Sequence, residues 1–274
     1  MTPWPLSRLS AFDLETTGTD PEEALIVEAY LGYIGGGLAT IDHKPLLAAV
    51  ECPEEASKIH GYTSAYLAEH GQPAEVVVEH TAVRVAEAIN QRVPLVGHNI
   101  VYDLTVLDRE CRRHGYPTVE ECTGGVIGPV IDTKLLSKQV DPWRRRVSEE
   151  QGAHALKTCA EVFKVEWSDD DAHGARYDAL ISARVAYKIG FYAFHPDKRP
   201  RLSGWKDERW RFDALAVDLP ELFARQKQWA AEQALSYQEY LRSPKAKEQQ
   251  DPNAVISTAW PVTPFADERA EAAR

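Results

Sequence analysis

At 274 residues the chain can bury one large core or a main core with an appendage, and its 44% hydrophobic and 27% charged content excludes fibrous and low-complexity classes. A net charge of −11 excludes general electrostatic adhesion to nucleic acid or to an anionic membrane surface. It leaves room for a nucleic-acid enzyme whose acids are balanced by bound cations.

The excess acid is local. Residues 1–190 hold 18 Lys and Arg against 29 Asp and Glu, whereas residues 191–274 hold 13 of each. Cys52, Cys111, Cys122 and Cys159 are scattered without a CxxC pair, which suits reduced thiols better than a zinc site or a disulfide framework. The first ten residues, MTPWPLSRLS, lack an apolar signal core, and no run reaches membrane-spanning length. The expectation is a soluble, cytoplasmic protein with no membrane partner.

In chain order, a first strand is expected over 9–15, and a second in EALIVEAYLGYI, running toward Gly35, Gly36 and Gly37. A third is expected in LATID, completing an antiparallel meander. Helical spacing dominates 74–91, with Val77, Val78, Val85 and Ile89 on one stripe. VPLVGHN reads as a short apolar strand, followed by a helix over 102–114 with Gly115 as its stop. PVIDT reads as another strand, with helices near 153–164 and 175–190. Strands first, then alternating helix and strand, predict an α/β fold: a mixed sheet flanked by helices.

Beyond residue 195 the texture changes to Pro- and Arg-containing coil, FHPDKRPRLSGWKDERWRF, then an amphipathic helix over 220–242. Its expected stripe is Leu222, Gln226, Trp229, Gln233, Tyr237 and Leu241. The final residues read as irregular chain with a frayed end.

Chemistry concentrates in three places. In SAFDLETTGTD, Asp13 and Glu15 fall on one face of a strand while Phe12 and Leu14 take the other. Two carboxylates on one face mark either a solvated edge or a held cation. In LVGHNIVYDLTVL, Asp103 follows the C-terminal end of a buried strand, where open α/β sheets place ligand crevices. A favourable acid in a helix's first turn explains Asp103 equally well. In DAHGARYDALISARVAYKI, His173 precedes Asp178 by five positions. Taken together, four acids and one histidine supply oxygen ligands for two hard divalent cations and a general base.

FDLETTG, GHNIVYDLTVL and HGARYDA resemble, in order and spacing, the three motifs of the DnaQ-like 3′–5′ exonucleases. This is the DEDDh branch of the ribonuclease H-like fold, and the resemblance covers residues 8–190. Gly174 occupies the place where the tyrosine sub-branch has its Tyr, and His173 stands where the histidine branch has its base. The resemblance implies a nuclease domain over 8–190 and a helical C-terminal extension over 191–274. It implies that Asp13, Glu15, Asp103 and Asp178 hold two Mg²⁺ or Mn²⁺ ions and that His173 deprotonates the attacking water. The implied substrate is nucleic acid, with single-stranded or frayed DNA 3′ ends expected and RNA trimming as the alternative. A non-catalytic subunit bound to a polymerase through the extension is the competing class.

The resemblance also implies substrate contacts. Thr16, Thr17 and Gly18 are expected against the terminal nucleotide, Ile59 and His60 in the pocket for the last base, and Asn99 at the active-site loop as contact or brace. Arg144, Arg145 and Arg146 are expected either to grip the phosphate backbone or to form a solvated charge run. Asp169, Asp170 and Asp171 read as an acidic loop. The basic stretch Lys198, Arg199, Arg201, Lys206, Arg209 and Arg211, interleaved with Trp205 and Trp210, reads as a strand contact or as a tail anchored by its tryptophans.

Overall fold

A computed structural model describes residues 3–169, 172–203 and 207–265. Asp170, Asp171, Trp205, Lys206 and the expected frayed end from residue 266 lie outside the described residues. Among the described residues no helix is long and apolar enough to cross a membrane.

The centre is a five-stranded mixed sheet in the order β3-β2-β1-β4-β5. Strand β1 (Arg8–Thr16) pairs antiparallel with β2 (Ile26–Gly35), which pairs antiparallel with the two-residue β3 (Leu46–Leu47). The LATID segment is therefore not the third strand. Gly35, Gly36 and Gly37 all take positive φ (83°, 67° and 70°), so the chain turns away from β2. Only Ile41 returns to bridge Tyr33 before pairing resumes at Leu46.

Helices α1 (Glu54–His60), α2 (Ser64–His70) and α3 (Ala74–Asn90) then carry the chain over to β4 (Leu95–Gly97), which runs parallel to β1. Next come α4 (Ile100–His114), the one-turn α5 (Val119–Cys122) and β5 (Val130–Asp132), parallel to β4. Then follow α6 (Thr133–Val140), α7 (Leu156–Phe163), α8 (Ala175–Phe194) and α9 (Leu219–Arg242).

Alternation along the strands divides the apolar side chains between two cores. Phe12, Leu14, Leu95 and Val130 pack with α3 and α4, whereas Leu9, Ala11, Val96 and Ile131 pack with α7 and α8. Asp13 and Glu15 continue the series of Leu9 and Ala11, so they point toward α8.

The segment past residue 190 shares the second core. Phe212, Leu215, Leu222 and Trp229 are buried in it, and the Trp4 indole donates to Leu215 O at 2.9 Å. Gln226, fully buried, completes the sheet edge: it accepts from Asp132 N at 2.8 Å and donates to Val130 O at 2.8 Å, much as a neighbouring strand would. The amphipathic stripe is thus only half used for packing. Leu222, Gln226 and Trp229 are buried, but Tyr237 is exposed.

Candidate active site

β1 ends at the rim of the sheet, and α8 begins there. Asp178, in the first turn of α8, meets Asp13 and Glu15, and one ligand atom from each of the three lies within 4.8 Å of the others. Asp103 comes from α4 and stands beside this trio, buried, with its Oδ1 accepting from Leu14 N at 3.1 Å. The β4–α4 turn that delivers it is tight. A Cβ on Gly97 would lie 3.0 Å from Phe12 O, tighter than an ordinary contact, so a side chain here would push this turn away from β1. His173 is exposed on the loop entering α8, in the left-handed conformation at φ 64°.

The acids crowd one another. Burial, followed by the charges of Asp103, Asp178, Glu15 and Glu28, pushes the Asp13 carboxyl well up. Burial and then Asp178 push Glu15 to about 8. Burial raises Asp103 to about 8 despite the Leu14 N–H, and raises Asp178 to about 6 despite His173. Asp178 Oδ1 is a buried oxygen with no hydrogen-bond donor among the described residues. Converging hard oxygens, one of them unsatisfied, with like charges and, among the described residues, no neutralising side chain between them, are a donor set that fits divalent cations such as Mg²⁺ or Mn²⁺.

A pH dependence follows. These carboxyls titrate near 4 in an unfolded chain. Raised in the fold, they contribute stability that is full below about pH 4 and is lost as pH rises through about 8. In EDTA the melting temperature should fall across that window. Added Mn²⁺ should raise it more at about pH 8 than at about pH 5, as differential scanning fluorimetry will show.

Beside Glu15 lies a groove of about 530 Å³. It brings together Thr16, Thr17, Gly18, Ile59, His60 and Asn99, the residues expected against substrate. The turn is fixed from within: Thr16 Oγ1 donates to Gly18 O at 2.9 Å, and Thr17 Oγ1 accepts from Leu25 N at 2.9 Å. Ile59 is 59% exposed, an apolar platform open to the groove. His60 is buried; it closes α1, accepts from Tyr62 N at 3.1 Å, and burial lowers its pKa. Asn99 braces the loop: at φ 65° it donates from its backbone N–H to Asp132 Oδ1 at 3.0 Å and accepts from Lys134 Nζ at 3.2 Å.

Glu28, Tyr62 and Tyr102 escape the motif reading. Glu28 sits directly across from Glu15 in the β1–β2 ladder. It accepts from Ala175 N at 2.8 Å and from the Tyr62 hydroxyl at 2.7 Å, tying α8 to the α1–α2 loop. Tyr102 meets Thr16 Oγ1 at 2.6 Å and donates to Gly18 O. The signal for Glu28 was available, an acid inside the apolar run EALIVEAY, in the same pattern as Asp13 and Glu15.

The arginine trio does not act as a unit. Arg144 is buried in an ion pair with Asp141 at 2.9 Å, donates to Ser137 Oγ at 3.0 Å, and covers Phe163. It is neither a solvated charge nor a phosphate grip, because Asp141 at the end of α6 turns it inward. Arg146 bonds back to Ser148 O and Glu149 O, and Arg145 is exposed. Arg144→Ala should therefore cost about 3 kcal/mol in urea unfolding, the price of stranding a buried carboxylate. In the basic stretch, Arg199 likewise turns inward, donating to Tyr192 O and Ala193 O at the end of α8 and pairing with Asp213. Lys198, Arg209 and Arg211 pair with Asp197, Asp207 and Glu208, so four of the five described cations of the stretch are already paired.

Comparison with known proteins agrees with this geometry. The exonuclease family model of the RNase T type matches residues 10–186. DNA polymerase III subunit epsilon of Aquifex aeolicus is 26% identical over 178 residues, covering 65% of this chain and 77% of that protein. A PolC-type DNA polymerase III of Lacticaseibacillus paracasei is 30% identical over 120 residues, but these are 44% of this chain and only 7% of that protein. Exonuclease I of Methylocaldum szegediense superposes with a TM-score of 0.51 at 22% identity, over 68% of this chain and 42% of its own. E. coli exonuclease I in complex with a dT13 oligonucleotide gives 0.51 at 17%, over 69% and 43%. These structural likenesses carry the ribonuclease H-like fold. With the family match spanning well over half of its length, the chain belongs to the RNase T family of exonucleases, the DnaQ-like group.

Proposed function

We propose that this chain is a divalent-cation-dependent 3′–5′ exonuclease that releases nucleoside 5′-monophosphates from single-stranded or frayed DNA 3′ ends. The observation that carries the reading is the convergence of Asp13, Glu15 and Asp178 within 4.8 Å at the mouth of a groove lined by Thr16, Gly18, Ile59 and His60. Family membership and the likeness to an epsilon subunit and to an exonuclease I bound to dT13 support it.

Asp13, Glu15 and Asp178 would hold one cation and Asp13 with Asp103 a second. When bound, such ions supply a more acidic water and neutralise charge at the departing oxygen. The chain's own residues do the rest. The Thr16–Gly18 turn and the Ile59–His60 platform seat the terminal nucleotide, so that its 5′ phosphorus faces the acids. His173 takes one proton from the attacking water onto an imidazole nitrogen. The new P–O bond forms as the P–O3′ bond breaks, and the departing 3′ oxygen takes a proton from solvent water, leaving a 3′ hydroxyl on the shortened strand. Glu28 holds the start of α8, and so Asp178 and the His173 loop, in register with β1.

The test is incubation of the full chain with 5′-labelled DNA and RNA strands of one sequence in Mg²⁺ or Mn²⁺. A DNA ladder shortening from the 3′ end is expected. Intact label on both strands in both metals removes the proposal, and faster loss of RNA transfers it to an exoribonuclease.

A further inference from the structure

Past α9 the chain doubles back as a strap over residues 254–265, first along α9 and then onto α4. Arg242 Nε donates to Ala254 O at 2.9 Å, Ile256 N donates to Gln238 Oε1 at 3.0 Å, and the Trp260 ring lies 5.5 Å from that of Phe223. On α4, Thr263 N donates to Thr105 Oγ1 at 3.1 Å. The Phe265 ring then covers two guanidinium groups, 5.3 Å from that of Arg109 and 4.9 Å from that of Arg112.

Arg109 is where the strap meets the active-site side of the fold. Its side chain is 2% exposed, yet its donors find acceptors from three directions. Nε and Nη2 take the two Glu22 oxygens at 2.7 and 2.9 Å, Nη1 takes Asp108, and Nη2 also reaches Thr263 O and Pro264 O at 2.9 and 3.1 Å. Glu22 lies on the limb that returns the chain from the Thr16–Gly18 turn to β2. Along α4, Tyr102 donates to Gly18 O seven residues before Arg109, and Arg113 donates to Ala24 O at 2.8 Å four residues after it. One face of the helix that delivers Asp103 therefore also holds the turn beside the groove, with Arg109 at its centre.

A carboxylate–guanidinium pair open to water contributes little, because solvent screens it and competes for its hydrogen bonds. Glu22 keeps 35% of its side chain exposed, so the shielding of this pair comes from the Arg109 side. The Thr263 and Pro264 carbonyls and the Phe265 ring supply it: they keep water off the guanidinium and hold its plane in line with both Glu22 oxygens.

We propose that the strap is a positioning element of the active site. By closing Arg109 onto Glu22 it fixes the return limb of the Thr16–Gly18 turn, and with it the seat of the terminal nucleotide. This rests on the exonuclease reading and deepens it, giving a segment outside the matched family residues a part in substrate binding.

The test uses Glu22→Ala, Phe265→Ala and the double variant, which alter the two ends of the path and leave the buried Arg109 in place. Release of 3′ nucleotides from oligodeoxythymidine in Mn²⁺ gives kcat and KM. Amide hydrogen exchange of residues 17–25, read by mass spectrometry without substrate or metal, follows the turn itself. Each single variant should raise KM about threefold or more with kcat within about twofold of the parent. The double variant should be no worse than the worse single one, since both act through Arg109. Exchange over 17–25 should quicken about fivefold in each, with the central sheet unchanged. Parental KM and exchange in both variants overturn the proposal, and a parent chain that still shortens DNA leaves the exonuclease reading standing. A fall in kcat at parental KM, the mark of a smaller folded fraction, overturns it as well. In a parent chain that releases no nucleotide, faster exchange confined to 17–25 in both variants keeps the link from strap to turn and removes the exonuclease reading.

Discussion

Asp13→Asn should lower the rate of 3′-nucleotide release by at least about 10³-fold, a loss of about 4 kcal/mol of transition-state stabilisation. Asp13 is the acid on which the others converge: Asp103, Asp178, Glu15 and Glu28 all raise its carboxyl after burial has done so. Any cation held by the trio would draw on this residue, and so would one held with Asp103. Asparagine keeps the size and the strand position opposite Tyr30 while removing one negative charge. The same substitution should therefore make the cation-free protein more stable, because a carboxyl pushed up by burial and like charge opposes folding at neutral pH. The two signs together are diagnostic. Lower activity with a higher melting temperature in EDTA, and a smaller gain on adding Mn²⁺, identifies a metal ligand. Lower activity with lower stability identifies a packing defect. A variant retaining a tenth of parental activity removes Asp13 from the mechanism.

Much of this site was legible because strand periodicity is rigid. With a period of two, Asp13 and Glu15 had to share a face, and the parallel β4 had to end where Asn99 and Asp103 begin. The helices over 74–91, 102–114, 153–164, 175–190 and 220–242 were legible through their apolar spacing and lie within a few residues of those ranges, whereas the short α1, α2, α5 and α6 carried no such signal. LATID was not, because its Leu and Ile suit a strand while the three glycines before it, all at positive φ, turn the chain away. Arg144 and Arg199 were misread for a related reason: charge patterning shows that arginines are present but not which way a local acid or a helix end turns them. Glu28 needed the register. Its role depends on standing opposite Glu15 across two strands, a relation that exists only after pairing. Gln226 is similar, since a polar residue on an apolar helical stripe becomes intelligible only beside the open edge of β5.

His173→Gly should reduce the rate by about 10²- to 10⁴-fold, the usual contribution of a positioned general base. Glycine is the discriminating substitution because His173 sits at φ 64°, a conformation glycine adopts without strain. The loop into α8 should keep its path, held by the bond from Ala175 N to Glu28, and unfolding should occur at or slightly above the parental midpoint. Asp13, Glu15 and Asp178 remain in place in this variant, so Mn²⁺ stabilisation should match that of the parent chain. Since His173 is exposed, added imidazole can reach the space it vacates and restore part of the rate. A loop residue of merely structural importance would give the reverse pattern: reduced stability, weakened Mn²⁺ response and no rescue. Loss of rate with stability and metal response intact, followed by recovery in imidazole, leaves proton transfer as the function that was removed.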